Sequence, residues 1–131
     1  MSYALITGAS SGIGCHYARE LARRGYNIIA VSNQPQELVA TVDEIVSTYH
    51  VEAHAVCRDL SDEGSALEIF EYVVNKGFEV EILVCNAGML LFSTLVRTDP
   101  ERLKAIISLH CTTTTLLCRY FGEYFKQRGS G

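Results

Sequence analysis

Short apolar runs alternate with stretches whose apolar residues recur every three or four positions, and this alternation fills the chain. Tyr3–Thr7 is an apolar run closed by Gly8, which predicts a buried strand. Ile13, Tyr17, Ala18, Leu21 and Ala22 fall at helical spacing, with Gly25 as a stop. Asn27–Ser32, carrying Ile28, Ile29 and Val31, reads as a second strand. Pro35 opens a helix whose apolar positions are Leu38, Val42, Ile45, Val46 and Tyr49. Val51–Cys57 is a third strand, and Ser61 is placed to cap a helix carrying Leu67, Phe70, Val73 and Val74. Val80–Cys85 is a fourth strand, ending at Asn86-Ala87-Gly88. Asp99 then caps, and Pro100 opens, one helix through Leu103, Ile106, Ile107, His110, Leu117 and Phe121 towards Gln127. Its β-branched Thr112–Thr115 run lowers helix propensity only slightly.

Four strand–helix units in succession imply parallel strands, right-handed crossovers and helices on both faces. The expectation is a single α/β domain over residues 1–131, a doubly wound parallel sheet. The chain closes on Arg128-Gly129-Ser130-Gly131, loop chemistry of the kind that leads into another strand. The sheet is therefore expected to stop after its fourth βα unit, short of a complete fold.

Composition narrows the class. With 48% hydrophobic and 20% charged residues the chain is neither disordered nor collagen-like. Eleven Lys and Arg against fifteen Asp and Glu give −4, which leaves no basic footprint for nucleic acid or anionic lipid. Five cysteines, an odd count without a C-x-x-C pair, argue for reduced thiols rather than a disulfide framework. His16, His50 and His54 have no ligand spacing with cysteines or carboxylates, so no metal site is expected. The N-terminus has no basic n-region, and no window reaches the about 18 apolar residues of a membrane span. These features predict a soluble, cytoplasmic protein.

The strongest local signal is Thr7-Gly8-Ala9-Ser10-Ser11-Gly12-Ile13-Gly14, which follows a strand and opens a helix. Gly8 allows a tight turn, Gly12 lets backbone approach a pyrophosphate, and Gly14 lets the helix sit close on the strand. The free N–H groups and dipole of that helix then face the anion. Ser10 and Ser11 add hydroxyls, and Ile13 completes the candidate contacts. A turn that binds nothing is the competing reading.

This string resembles the cofactor turn of the short-chain dehydrogenase/reductase family. Asp59-Leu60, just past the third strand, resembles the family's acidic contact to the adenine ring. Asn86-Ala87-Gly88 resembles its Asn-Ala-Gly motif, which steadies the central sheet and lines the cofactor. The Asp99-Pro100 helix and the closing Gly-Ser-Gly loop also fall at family positions, so the resemblance covers the whole chain. It implies a Rossmann-type fold and a nicotinamide dinucleotide as partner. At the end of the second strand an acid binds the ribose 2′-hydroxyl, whereas an Arg accommodates a 2′-phosphate. Here Ser32-Asn33-Gln34 supplies neither, and Ser32 and Asn33 can bond either group. NADP is slightly favoured over NAD.

The resemblance further implies hydride transfer between that cofactor and an alcohol or ketone. The family's Tyr and Lys stand four apart on one helix with a nearby Ser, all after a fifth strand. This chain has no Tyr-x-x-x-Lys: Lys126 follows Tyr124 by two, on a different helix face. None of the three carries over. A fourth family member, an Asn on the long helix, falls at His110. An imidazole can relay protons as that Asn does, or can simply be a helix-face residue. Around Asn33–Leu38 and the long helix the sequence looks most like ketosteroid and 3-oxoacyl reductases. The expectation is the cofactor-binding half of a short-chain oxidoreductase. A non-catalytic NAD(P)-binding module, or an inactive fragment, is the alternative. The aromatic cluster Tyr120, Phe121, Tyr124 and Phe125 reads as core or subunit contact rather than a substrate box; the family's habit of pairing this helix across subunits, with the open edge on the fourth strand, makes a homo-oligomer the expectation.

Overall fold

A computed structural model describes Met1–Gly131. Its strands are β1 (Tyr3–Thr7), β2 (Asn27–Ser32), β3 (Ala53–Cys57) and β4 (Val80–Val84). All pair in parallel, in the order β3-β2-β1-β4. Helices α1 (Gly12–Arg23), α2 (Pro35–Tyr49) and α3 (Ser65–Lys76) link them, and α4 (Pro100–Ile107) and α5 (Thr114–Arg128) follow β4. The expected α/β doubly wound sheet is present.

The inner strands lack a polar alternation because both their faces are covered. Ala4, Ile6, Ile28 and Ala30 share one face with Ala18 and Ala22 of α1 and Leu38 and Ile45 of α2. Leu5, Ile29 and Val31 share the other with Ile69 and Val73 of α3 and Leu117 and Phe121 of α5. The small side chains on the first face bring α1 close to the sheet, which places its N-terminus at the strand ends.

Several boundaries differ from those read in the sequence. Val51 is not in β3: it is buried from the preceding loop, where Glu52 meets β2 through the Ile28 N–H and the Asn27 side chain. Ser61 does not cap α3, which starts four residues later behind Gly64. Ser61 instead turns back, donating its N–H and hydroxyl to Asp59 Oδ1 at 3.0 and 2.7 Å. A side chain that can satisfy a local turn competes with a cap, and here the turn prevails. Ile13 and Tyr17 are exposed, because the buried stripe of α1 is Gly14, Cys15, Ala18 and Ala22. Leu67 and Val74 of α3 face outward for the same reason, its core stripe being Ala66, Ile69 and Val73. β4 ends at Val84, one residue short of Cys85.

The long helix runs unbroken from Pro100 to Arg128 but is not α-helical throughout. Asp99 caps it as expected, accepting the Glu101 N–H at 3.1 Å. Between α4 and α5, however, Ser108–Thr113 is π-helical. Thr113 Oγ1, buried, donates to the Leu60 carbonyl at 2.5 Å, pinning this wide turn to the loop after β3. The Thr run thus matters through one tertiary bond rather than through propensity.

Candidate functional site

The chain leaves β1 towards β2 on one side and returns from α3 to β4 on the other. That reversal opens a crevice beyond the carboxyl ends of the strands, where such sheets bind ligands. A cavity of about 690 Å³ lies there. Its walls include Gly8, Ser10, Ser11, Gly12, Ile13, Ser32, Asn33, Asp59, Leu60, Asn86, Ala87 and Gly88. Every cofactor residue expected from the sequence therefore meets in one place except Gly14, which is buried behind the turn. His110 stands at the margin through its contact with the loop after β4.

The turn is held from two sides. Gly8 and Ala9 donate their N–H groups to the Val31 carbonyl at 2.8 and 3.2 Å, tying the turn to β2. Asn86 Nδ2 reaches the Thr7 and Gly8 carbonyls at 3.3 and 3.4 Å, tying it to β4. Thr7 Oγ1 accepts the N–H groups of Asn86 and Ala87 at 3.0 and 3.1 Å. Thr7 itself is only 2% exposed. The sequence reading missed this seam, since Thr7 passes for an ordinary strand residue.

The glycines divide the work as their positions require. A Cβ on Gly14 would lie 2.1 Å from the Gly8 carbonyl oxygen and 2.4 Å from Asn86 Nδ2, so only glycine fits beneath the seam. Gly12 has φ +55 with nothing within 4 Å of a Cβ, so its backbone borders open space. Cys15 is the first residue of α1 whose N–H finds a backbone acceptor, the Ser11 carbonyl at 3.3 Å. The N–H groups of Gly12, Ile13 and Gly14 have no protein acceptor, and the Ser11 side chain does not cap them. The two of these residues that line the crevice, Gly12 and Ile13, together with the helix dipole, fit an anionic pyrophosphate.

At the far rim Ser10 is not free, as expected from the sequence, to reach an anion. Its hydroxyl donates to Gln34 Oε1 at 3.0 Å, and Ser32 Oγ lies 2.7 Å away. The Gln34 N–H in turn donates to Ser32 Oγ at 3.1 Å. With the Ser10 hydrogen given to Gln34, the Ser32 hydroxyl is the donor between the two serines. The ring of bonds closes on itself, neutral and pre-ordered. Gln34 joins the site through its contacts, which its position after Asn33 did not reveal.

His110 Nε2 lies 3.1 Å from both the N–H and the carbonyl of Met89. It serves one or the other, according to which ring nitrogen carries the proton. Gly88 makes room for the ring, since a Cβ there would stand 3.0 Å from His110 Cε1. The π-helical turn thus delivers His110 against the Asn86–Met89 loop. Partial desolvation, and then Cys118, push the thiol of Cys85 up to about 12, although the residue is exposed.

The short chain dehydrogenase family model matches residues 2–131. The chain belongs to this family. A very-long-chain 3-oxoacyl-CoA reductase of Coccidioides immitis is 34% identical over 99% of the chain and 38% of its own length. The 17-beta-hydroxysteroid dehydrogenase type 3 of Homo sapiens is 30% identical over 98% of the chain and 42% of its own length. Among solved structures, a short-chain dehydrogenase from Sphingobium yanoikuyae in complex with NADPH superposes with a TM-score of 0.92. It is 30% identical, with 100% of the chain and 51% of that structure covered. A bulky-bulky ketone specific alcohol dehydrogenase from Comamonas testosteroni gives 0.91 at 30% identity, covering 100% and 52%. The chain spans about two-fifths of the curated relatives it matches and about half of these structures. The matched residues include the Gly8–Gly14 turn, the Asn86 seam and the Ser10–Ser32–Gln34 rim.

Proposed function

We propose that this chain supplies the nicotinamide-dinucleotide site of an oxidoreductase that interconverts an alcohol and a ketone, with NADP(H) as the preferred cofactor. The observation that carries this reading is the pair of unpaired N–H groups of Gly12 and Ile13, two residues that line the crevice, on a turn held by the Asn86 seam. NADP(H) is favoured by a rim at Ser32-Asn33-Gln34 with no carboxylate to repel a 2′-phosphate. Related structures with NADPH or NADP bound agree with that choice. When bound, the cofactor supplies or accepts the hydride.

The residues of this chain bind, orient and shield. Gly8 and Gly12 give the diphosphate access to backbone donors, and Asn86 and Thr7 keep the turn from opening. Leu60 is buried beside Asp59 and offers the adenine an apolar floor. His110 fixes the Met89 backbone through Nε2, while Nδ1, without a protein hydrogen bond, is left to relay a proton through water. The group that protonates the carbonyl is supplied by residues outside 1–131, since no Tyr-x-x-x-Lys occurs here. Substrates of the ketosteroid or 3-oxoacyl class are suggested by the relatives alone.

Titration of the chain with NADPH, followed by nicotinamide fluorescence, tests this. Saturable but weak binding is expected, lost in Gly12→Val, whose side chain enters the crevice and whose β-branch strains the φ +55 backbone of the turn. Circular dichroism should show both proteins folded. No saturable binding by the wild-type chain would overturn the reading. Ketone reduction by the isolated chain would overturn the placement of the proton donor.

A further inference from the structure

The cation absent from the end of β2 stands one strand away. Ser32 and Cys57 are register partners in the β2–β3 ladder, and the Arg58 N–H donates to the Ser32 carbonyl at 3.0 Å. The residues that follow these partners, Asn33 and Arg58, therefore leave the sheet side by side. Both line the crevice, and Arg58 is its only cationic lining residue. The single acidic one, Asp59, is turned onto Ser61.

The guanidinium is restrained but not committed. Nη1 donates to the Cys57 carbonyl at 2.7 Å, which aims the fork along the strand end. Nε lies 3.1 Å from Glu68 Oε2 on α3. That pair is not aligned as a hydrogen bond, and Nε has no other partner although it is shut off from solvent. The side chains are 41% and 58% exposed, so the pair is screened and holds weakly. A phosphate dianion offers the same fork two parallel acceptors and more charge than one carboxylate.

We propose that Arg58 is the specificity-determining residue for the cofactor's 2′-phosphate, and that Glu68 is its displaceable counter-ion. The discrimination assigned to the end of β2 in folds of this kind is here moved to the end of β3. The Ser10–Ser32–Gln34 ring accepts either ribose, and Arg58 adds affinity only when the phosphate is present. Glu68 sets how much, because phosphate and carboxylate compete for one guanidinium. This inference rests on the dinucleotide reading of the crevice and names the residue that chooses between its two forms.

The test uses adenosine 2′,5′-bisphosphate and adenosine 5′-monophosphate, which differ by the 2′-phosphate alone, titrated calorimetrically into the chain. The wild type is expected to favour the bisphosphate by about ten-fold, an advantage that shrinks with added salt. Arg58→Gln should bring that ratio close to one while the monophosphate affinity stays within about two-fold. Arg58→Lys should keep part of it, as a charge without the fork. Glu68→Gln should raise the ratio, and circular dichroism should show all variants folded. An unchanged ratio in Arg58→Gln, or an equal loss for both nucleotides, would overturn the proposal. Failure of the wild type to bind either nucleotide would instead overturn the dinucleotide reading itself.

Discussion

β2 and β4 read alike as sequences and live differently in the fold. Asn-Ile-Ile-Ala-Val-Ser lies between β1 and β3 and is buried throughout. Val-Glu-Ile-Leu-Val has only β1 beside it, and after Val80 its residues are partly exposed. The difference lies in neighbours rather than in composition. β2 carries the Gly8–Gly14 turn on its Val31 carbonyl, and what sits on β2 is held by a closed core. β4, with a free edge, leads into the loop that carries Asn86 and Ala87, and has to be tied in by other means. One half of the crevice is therefore built by packing and the other by hydrogen bonds.

Truncation should expose this first. Ile29→Ala opens a cavity between α3, α5 and the sheet and is expected to cost about 3–4 kcal/mol by urea denaturation. Leu83→Ala, on partly exposed β4, is expected to cost about 1–2 kcal/mol. Equal losses at the two positions would show that β4 is buried in solution, for example by self-association along its edge.

Thr7→Val is the sharper probe, because it removes an acceptor and almost no volume. It leaves the Asn86 and Ala87 N–H groups unpaired beside a buried position, at a cost of about 2 kcal/mol. Hydrogen exchange should show the loss concentrated in β4 and the following loop, with β2 protection falling only by the global change. Uniform loss across the sheet would show that the seam carries overall stability rather than the local attachment of β4.

The same contrast explains what could be read in advance. Strand order of elements, the turn from Gly8 to Gly14 and the Asn86 motif were legible because each depends on local pattern: period, glycine spacing, strand-to-helix context. The Asp99-Pro100 start of α4 was legible for that reason too. Contacts that join distant segments left no such trace. Nothing near Thr7 announces a bond to residue 86, nothing in the Thr112–Thr115 run announces that Thr113 reaches Leu60, and Arg58 gains meaning only once β3 pairs with β2. Ser61 looked like a cap because caps and turns use the same side chain, and only the position of Gly64 and Ser65 separates them. Ile13 and Tyr17 misled because α1 packs through its smallest residues, a stripe that a search for large apolar side chains overlooks.

The smallest effect concerns the outer surface of α1, the helix that covers one face of β1 and β2. Hydrogen bonds from Arg23 and then Arg24 hold the Glu20 carboxyl down at about 2. Its value in the unfolded chain is near 4.5. A carboxyl whose value is lowered by folding lends its stability above the unfolded value, and loses it as pH falls from about 4.5 to about 2. Acid should therefore loosen the last turn of α1. Glu20→Gln should flatten the acid limb of a pH titration of helicity and lower neutral stability by that same small amount, because all three side chains are exposed and screened. If the variant keeps the wild-type acid limb, the knot contributes nothing in solution, and the firmness of the β2 side rests on its core alone.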